Sequence, residues 1–490
     1  LGNPDILEHW ISNTPFGANF PSVGVNQSGT AANAHTPNRL SFTTAQFNWN
    51  TTGPIFPITN KQTIGGVSYT GATCTAAAPC DTGSNDPNYR TIFSVQWNMD
   101  VQRAITNSLT LDVAYVGVKG YRETQWSDLN QPPLGTGWAG TPIANCLAPA
   151  SVAAGYNNCK VSTAAEAAAR PYANIFPYLK FITQAGNGGF SNYNAMEVTI
   201  PSRGFHGLRL LSGYTYSHGL DTQTSASHSQ PIGPDRRNFS LLYGSGDSDI
   251  RNRVTISPTY AVPGRKSPGQ MLEGWTISSI VILQGGTPWY PLDSQKDDFL
   301  GTGENSDQSI VGRVIQTWNY SGPHSAFKST SVPIPCFGKL AGCTPYVGGT
   351  PPAECITAAI APYAGNAQLQ ELAKASLYNN ACYQRNGGIL TPPAFGTIGN
   401  AGRGSFTSPS HYNVDLSLSK DWKFKERYGA QFRFEMFNAF NHAHFGAPTN
   451  DPSTGKGGNF GCSCSTPDAT NPVLGSGGPR HIQFGLKLTY

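Results

Sequence analysis

The C-terminal segment, residues 479–490, constrains the fold more than any other stretch of the chain. Its apolar side chains occupy every second position, at Ile482, Phe484, Leu486, Leu488 and Tyr490. A period of two predicts a β-strand with one apolar and one polar face. The segment also ends on an aromatic residue. The last strand of a transmembrane barrel has this pattern, because it closes the sheet and ends in an aromatic girdle.

The composition narrows the class of protein. Charged residues make up 12% of the chain, about half the share found in soluble globular proteins. Gly (55) and Pro (37) are abundant, which suits many strands joined by turn-rich loops. The longest apolar stretch, 280–283, is far shorter than the ~20 residues of a membrane helix. The net charge of +4 is spread without a basic cluster, so no nucleic-acid partner is expected.

Nine segments after residue 90 alternate in the same way. In the first of them, Phe93, Val95 and Trp97 lie on one face, and Ser94 and Gln96 lie on the other. The predicted strands are 90–105, 109–121, 191–203, 208–220, 250–262, 274–286, 411–423, 429–440 and 479–490.

The connections between these segments alternate in length. Those after residues 105, 203, 262 and 423 are short, and those after 121, 220, 286 and 440 are long. Outer-membrane barrels have short periplasmic turns and long outer loops, whereas a sandwich or a propeller does not place every long loop on one side. The sequence therefore predicts an all-β, antiparallel transmembrane β-barrel in the cell outer membrane of a Gram-negative bacterium.

The direction of the last strand sets the strand count. It runs from outside to periplasm, so nine strands require one more outward strand before residue 90, and residues 6–12 are the candidate. We treat 1–490 as one partial barrel domain, with 1–90 mostly loop, nine strands in 91–490 and a helix near 366–379. The sequence begins at Leu1, with neither an initiator Met nor a signal peptide. We therefore expect that the chain starts after a cleavage or is a fragment.

The ten cysteines form five local pairs, all in predicted loops. Disulfides formed in an oxidising compartment explain an even count at this spacing. The pairs expected from proximity are Cys74/Cys80, Cys146/Cys159, Cys336/Cys343, Cys355/Cys382 and Cys462/Cys464. A metal site formed by the last pair with His442 and His444 is the alternative, although the C-x-x-C spacing of structural zinc is absent.

The polar strand faces are expected to line the lumen, because lipid cannot solvate them. The lumen-facing candidates are Asp100, Asp415, Arg433, Glu435 and Lys487. They either contact a plug or a passing substrate, or they form ordinary cross-strand pairs in a wet lumen. Aromatic residues near strand ends on the apolar faces predict an interfacial belt, at Tyr214, Tyr216, Trp275, Trp422 and Tyr490.

Two further patterns carry candidate chemistry. The acidic loop 293–307 offers oxygen donors for Ca²⁺ that match no EF-hand spacing, at Asp297, Asp298, Glu304 and Asp307. His218 and Asp221 lie close to Ser212 and Ser217, which raises a hydrolase alternative. No nucleophile elbow or oxyanion hole accompanies them, so no enzyme activity is expected.

Several segments resemble one family. They are W-N-M-D-V-Q-R (97–103), L-D-V-A-Y-V-G (111–117), N-Y-N-A-M-E-V (192–198), G-Y-T-Y-S-H-G-L-D (213–221), G-T-P-W (286–289), V-D-L-S-L-S-K (414–420), F-R-F-E-M-F-N-A-F-N-H (432–442) and the C-terminal segment. They resemble, in order over 90–490, the barrel half of Oar-like TonB-dependent outer-membrane receptors. The resemblance implies a 22-stranded barrel of which this chain is the C-terminal part. It also implies a plug domain and a TonB box, neither visible here, and a terminal assembly signal at Phe484, Leu486, Leu488 and Tyr490.

Three functional hypotheses remain. The first is a TonB-dependent receptor that moves a bulky solute, with outer-membrane lipid, a plug domain and TonB as partners. The second is a non-energised structural, adhesive or pore-forming barrel, which would lack an upstream plug and TonB box. The third is a secreted soluble all-β protein, in which Phe93, Val95 and Trp97 would pack in a dry core.

Overall fold

The computed structural model describes most of the chain after residue 78. The described residues are 62–64, 67–69, 76, 79–153, 160–177, 179–205, 207–222, 234–293, 298–303, 316–345, 351–424, 428–452, 459–466 and 478–490. The predicted first strand at residues 6–12 lies outside them.

The strands of the described part differ widely in length. In chain order they are β1 (Gln62–Ile64), β2 (Val67–Tyr69), β3 (Cys80–Asn85), β4 (Phe93–Thr106), β5 (Leu109–Asp128), β6 (Leu179–Phe205), β7 (Leu208–Asp221), β8 (Gly244–Ser245), β9 (Asn252–Ala261), β10 (Trp275–Gln284), β11 (Pro288–Trp289), β12 (Asn319–Ser321), β13 (Cys336–Phe337), β14 (Cys382–Arg385), β15 (Gly388–Thr391), β16 (Phe406–Thr407), β17 (His411–Phe424), β18 (Tyr428–Phe437) and β19 (His481–Thr489).

The helices are short and lie in the long connections. They are α1 (Thr136–Ala139), α2 (Ile143–Cys146), α3 (Pro149–Ala153), α4 (Thr163–Ala169), α5 (Ala353–Ile360) and α6 (Ala367–Asn380), with 3₁₀ turns at Phe239–Leu242, Pro268–Gln270, His324–Phe327 and Ala361–Tyr363. The helix predicted near 366–379 is α6, and the Asn366 side chain caps it by accepting from the Leu369 N–H. Within the described residues, no helix has both the length and the apolar character needed to cross a membrane.

One antiparallel sheet contains the nine long strands. Its order is β19-β18-β17-β10-β9-β7-β6-β5-β4, so each long strand pairs with the long strands before and after it in the chain. Short β8 pairs with β7, and β3 pairs with β6 in parallel. This is the up-and-down meander that alternating short turns and long loops predict. The described strands do not close into a ring, and β4 and β19 end the path.

The cross-strand register places the apolar side chains on one face of the sheet. Leu416 pairs with Met436, and Phe434 pairs with Phe484. These side chains have no second layer over them: Trp97 is 40% exposed, Phe484 68% and Leu486 69%. A soluble protein rarely exposes so continuous an apolar surface. The dry core expected of a soluble all-β protein is therefore absent from this face, which suits contact with lipid.

Two strands extend well beyond the sheet's apolar band. β5 has 20 residues and β6 has 27, whereas about 9–11 residues cross a bilayer. The predictions 109–121 and 191–203 cover only the alternating parts of these strands. The remaining outer parts carry buried polar residues such as Gln125 and Thr183, and these break the apolar–polar alternation on which the prediction depended.

The main apolar core lies in the connection between β10 and β17, whose described residues we call the outer cap. The cap contains a small sheet in the order β12-β15-β14-β13 and the helices α5 and α6. Its core includes Trp289, Trp318, Tyr320, Phe327, Tyr383 and Phe406. Phe460, from the connection after β18, joins this core with its ring centroid 4.4 Å from that of Tyr383. Two long loops at the same end of the sheet therefore form one folded body.

The opposite, short-turn end of the sheet contains an unexpected buried lysine. Lys420 occupies an apolar-face position of β17, yet it is completely buried. Its ammonium donates to the carbonyls of Glu273 and Asp421, and it lies 5.8 Å from the Trp275 ring centroid and 4.8 Å from that of Trp422. These rings were predicted as part of an interfacial belt. These rings also have a second role, because they hold the charge of Lys420 between two aromatic faces.

We expect Lys420→Met to lower the free energy of unfolding by about 1–3 kcal/mol, because two carbonyls lose a charged donor and the cation–π contacts disappear. The measurement is urea unfolding of the folded protein in detergent micelles, followed by tryptophan fluorescence. Lys423→Met is the matched control, since Lys423 lies on the same strand and its side chain is exposed. Equal losses in the two variants would contradict this role of Lys420.

Candidate functional site

The polar face of the sheet carries the predicted lumen-facing residues. The register pairs Glu435 with Ser417, Arg433 with Ser419 and Lys487 with Gln431. Asp415 lies on the same face of β17, so four of the five residues come together on three adjacent strands. Asp100 lies on β4, at the other end of the sheet, beside Asp112 of β5. The predicted set is therefore a shared face rather than a single cluster.

Several of these residues bond to their neighbours. Asp415 accepts from the Asn413 side chain (2.9 Å) and from the Asn438 backbone N–H (2.8 Å). Arg433 donates to Gln431 (2.7 Å), which donates in turn to Asp421 (2.8 Å). Two of these bonds join residues of the same strand, and those of Asp421 and Asn438 cross between β17 and β18 or the residue that follows it. Cross-strand pairs of this kind stabilise a sheet. For Asp415 and Arg433, these contacts favour the structural alternative over a role in binding.

A cavity that the sequence analysis did not single out lies on the polar face of β6, β7 and β9. It has a volume of about 320 Å³ and is lined there by Glu197, Thr199, Gly213, Thr215, Arg253 and Thr255. A volume near 300 Å³ is the lower end of the range for small-molecule sites. One signal could have found it, because a glycine inside a strand often marks the close approach of a ligand or another backbone. Gly213 is that glycine.

The outer cap is tied to the strands by one arginine. Arg403 is buried, and its guanidinium donates to the Asp221 carboxylate (2.7 Å), the Asp221 carbonyl (2.8 Å) and the Leu242 carbonyl (2.9 Å). Asp221 is the last residue of β7. The ion pair therefore fixes the cap to the outer end of a membrane strand, with good geometry for a buried pair.

The cysteines whose side chains the structure describes are disulfide-bonded. Cys336 is joined to Cys343, Cys355 to Cys382 and Cys462 to Cys464. Cys146 is also in a disulfide. Cys74, Cys159 and the side chain of Cys80 lie outside the described part, so the pairs Cys74/Cys80 and Cys146/Cys159 stay predictions. The first two bonds lie within the cap, and the second links α5 to β14. They constrain the cap's unfolded states and so stabilise its fold.

The structure joins Cys462 to Cys464 in the expected disulfide, so it gives the metal alternative at these residues no support. The two sulfurs are bonded to each other, so no thiolate is left to ligate a metal. His444 stacks on His411 with ring centroids 3.7 Å apart, and His442 packs on Tyr412. Across the described residues, no group of three or more metal-ligating side chains has suitable geometry.

The acidic loop places two of its carboxylates against protein donors. Asp293 accepts from the Trp318 indole N–H (2.9 Å). Asp298 accepts from the backbone N–H groups of Gly301 (2.8 Å) and Gly303 (2.6 Å). The other three candidate donors, Asp297, Glu304 and Asp307, lie outside the described residues, so Ca²⁺ binding in this loop stays a prediction.

Asp298 also faces a buried carboxyl from another loop. Glu166 of α4 is only 3% exposed. Burial raises its pKa, and the neighbouring Asp298 raises it further, to about 8; Arg170 and Lys180 act in the opposite direction. Glu166 is therefore protonated at neutral pH, and it lies beside Asp298 where the connection after β5 meets the cap.

The serine and histidine residues of the hydrolase alternative do not come together. His218 Nδ1 lies 3.0 Å from Asp249 and 2.8 Å from the Arg251 guanidinium. Asp221 pairs with Arg403, and the Ser217 hydroxyl donates to the Ile250 carbonyl. No serine–histidine hydrogen bond forms among these residues, so the arrangement is not a catalytic triad.

The sheet, with its lipid-compatible apolar face, its polar inner face and all long loops at one end, defines a β-barrel wall of the outer-membrane type. The profile of the family described as "Outer membrane beta barrel domain" matches residues 10–483. The chain therefore belongs to this family, and its location is the outer membrane. The predicted all-β, antiparallel barrel class is confirmed, and the long loops are accordingly extracellular.

Solved structures similar to the chain are also outer-membrane proteins. One is the outer membrane transporter YddB from Escherichia coli, with 8% sequence identity, a TM-score of 0.34 and coverage of 84% of this chain and 34% of that chain. Another is BauA, the ferric preacinetobactin receptor from Acinetobacter baumannii, with 9% identity, a TM-score of 0.31 and coverage of 83% of this chain and 32% of that chain. A third is the ferripyoverdine receptor of the outer membrane of Pseudomonas aeruginosa, with 9% identity, a TM-score of 0.29 and coverage of 81% of this chain and 27% of that chain. The chain spans about a third of the length of these structures or less. No curated protein matches the chain.

We expect Glu166→Gln to flatten the pH dependence of stability. The native pKa of about 8 exceeds the ordinary 4.5, so the native state binds more protons between these values, and stability falls as pH rises from about 4.5 to about 8. A neutral amide removes this loss, so the variant should melt above the parent at pH 8. Melting temperatures measured in detergent at pH 5, 6.5 and 8 give the pH dependence of stability for each protein. Glu354→Gln, at an exposed position of α5, is the control, and a parallel pH profile for Glu166→Gln and parent would contradict the account.

Proposed function

We propose that the chain is the barrel wall and outer binding surface of a TonB-dependent outer-membrane receptor of the Oar-like type, which moves a bulky solute across the outer membrane. The observation that carries the proposal is the outer cap. Two extracellular loops form one disulfide-bonded body with a shared aromatic core, fixed to β7 by Arg403. A rigid outer body of this kind binds solutes with a small loss of conformational entropy.

The polar inner face supports passage rather than surface binding alone. Thr199, Thr215 and Thr255 face a cavity there, and Glu197 and Arg253 lie at its sides. Such a face is wetted in a barrel lumen.

The partners follow from the resemblance to Oar-like receptors. A plug domain would contact the polar face, and TonB would supply the energy for solute release. These parts belong to the remaining length of such receptors. The solute is bulky in this proposal because the family's barrel is wide, and its identity depends on loop shape.

The test uses Gram-negative cells that express the complete receptor encoded by this gene, with and without TonB. Depletion of solutes from a defined mixture is followed by mass spectrometry. We expect at least one solute to be taken up only when both the receptor and TonB are present. Arg403→Ala should abolish this uptake because the cap loses its attachment to β7, whereas Lys339→Ala, at an exposed position of the cap, should not.

Three outcomes distinguish the rival functions. Uptake that continues without TonB would replace the transporter by a passive pore. Cell adhesion that depends on Arg403 without any solute uptake would replace it by an adhesin, which the disulfide-bonded cap also suits. No receptor-dependent uptake and no adhesion would leave a purely structural barrel, and would contradict the proposal.

A further inference from the structure

The cavity on β6, β7 and β9 has a regular construction. The register aligns Glu197 with Thr215 and Thr215 with Arg253, so these three side chains form one row across three strands. The next row contains Thr199, Gly213 and Thr255. Both rows lie on the polar face. We call this cavity the notch. It spans the two rows, with hydroxyl groups along its floor and opposite charges at its two sides.

The glycine at the centre creates the depth of the notch. A side chain at Gly213 would begin 3.2 Å from the Thr255 hydroxyl and would occupy the space between the two flanking threonines. Glycine weakens a strand interior, and it often marks the place where a ligand approaches the backbone closely. Its φ is not in the left-handed region, so no turn requires a glycine here. The geometry leaves two reasons for it, which are room for the Thr255 hydroxyl and access to the backbone.

The two charges do not neutralise each other. In the described part of the chain, neither the Glu197 carboxylate nor the Arg253 guanidinium makes a hydrogen bond or an ion pair, and both residues are exposed. This differs from Arg433 and Asp415 on the same face, which are bonded to their neighbours. Two free, opposite charges that line one cavity are electrostatically complementary to a ligand that carries both signs.

The spacing of the charges sets the size of that ligand. Glu197 and Arg253 lie two strands apart, and adjacent strands are ~4.8 Å apart, so the two side chains start about 10 Å from each other. An extended peptide spans ~3.3–3.6 Å per residue. A peptide of about three residues therefore places its terminal ammonium and carboxylate at the right separation.

We propose that this notch binds a short zwitterionic peptide or a peptide-like solute of the same length. Glu197 receives the ammonium group, and the guanidinium of Arg253 binds the carboxylate in a bidentate pair. Thr199, Thr215 and Thr255 supply hydroxyl donors and acceptors along the backbone of the ligand. The inference deepens the proposed function and rests on it, because the polar face is then the path of the transported solute. The short peptide represents the zwitterionic part of that bulky solute.

The test is calorimetric titration of the complete receptor encoded by this gene, purified in detergent micelles, with three probes. Triglycine carries both charges, N-acetyltriglycine only the carboxylate, and triglycine amide only the ammonium. We expect triglycine to bind about tenfold more tightly than either analogue, since each lost charge removes a charge-assisted hydrogen bond. Free glycine, whose charges are too close together, should bind more weakly still.

The variants assign each charge to its residue. Glu197→Gln should remove the preference for triglycine over N-acetyltriglycine, and Arg253→Gln should remove the preference over triglycine amide. Gly213→Val should abolish binding of all three probes, while Glu435→Gln, a charge on the same face outside the notch, should leave binding unchanged. The β-sheet circular dichroism of each variant verifies folding, and the two glutamine variants keep the test decisive if Gly213→Val misfolds.

Two results would overturn the inference: absence of triglycine binding to the folded parent, or equal binding of the three probes. The test is separate from that of the proposed function. Triglycine binding without TonB-dependent uptake would retain the notch and remove the transporter. TonB-dependent uptake without triglycine binding would retain the transporter and remove the notch as a peptide site.

Discussion

A strand that crosses a bilayer must place all its backbone hydrogen bonds on neighbouring strands, because lipid offers none. The described sheet meets this condition in its middle, where β17 pairs along its length with β10 on one side and β18 on the other. One face then meets lipid and the other meets water, so the sheet needs no second layer. The exposed apolar band and the polar inner face both follow from this constraint. The cap, the notch and the turns depend on the position of this sheet.

The outer cap is the region where the protein has an ordinary interior. Tyr383 and Phe460 come from different loops, yet their rings pack together because both loops leave the same end of the sheet. Arg403 and Asp221 are 182 residues apart and form the bond that attaches this interior to a membrane strand. Packing and one buried ion pair, rather than short connections, therefore position the cap. Glu166 lies beside Asp298 at a further contact with the cap, and its contribution to stability depends on pH.

The strands could be predicted because a lipid-facing strand has apolar residues at every second position of the local sequence, as at Phe93, Val95 and Trp97. Neighbouring short turns then gave the pairing order. The role of Lys420 could not be predicted, since its partners include the Glu273 carbonyl in a turn and the Trp275 ring on β10. Gly213 marks the notch in the sequence, but the two charges at its sides could not be predicted, because only the register of three strands aligns Glu197 with Arg253. The core of the cap depends on contacts between distant loop residues. Apolar residues in these loops show no sequence periodicity, so the core could not be predicted.

The measurement that tests the account most directly compares arginine on the two faces of a central strand. Leu416 and Ser417 are adjacent in β17, and the account places the first against lipid and the second in the lumen. In folding titrations from urea into lipid vesicles, Leu416→Arg should cost about 2–4 kcal/mol, and Ser417→Arg should cost little. Equal costs for the two substitutions, or a larger cost for Ser417→Arg, would contradict the assignment of the faces and with it the barrel wall.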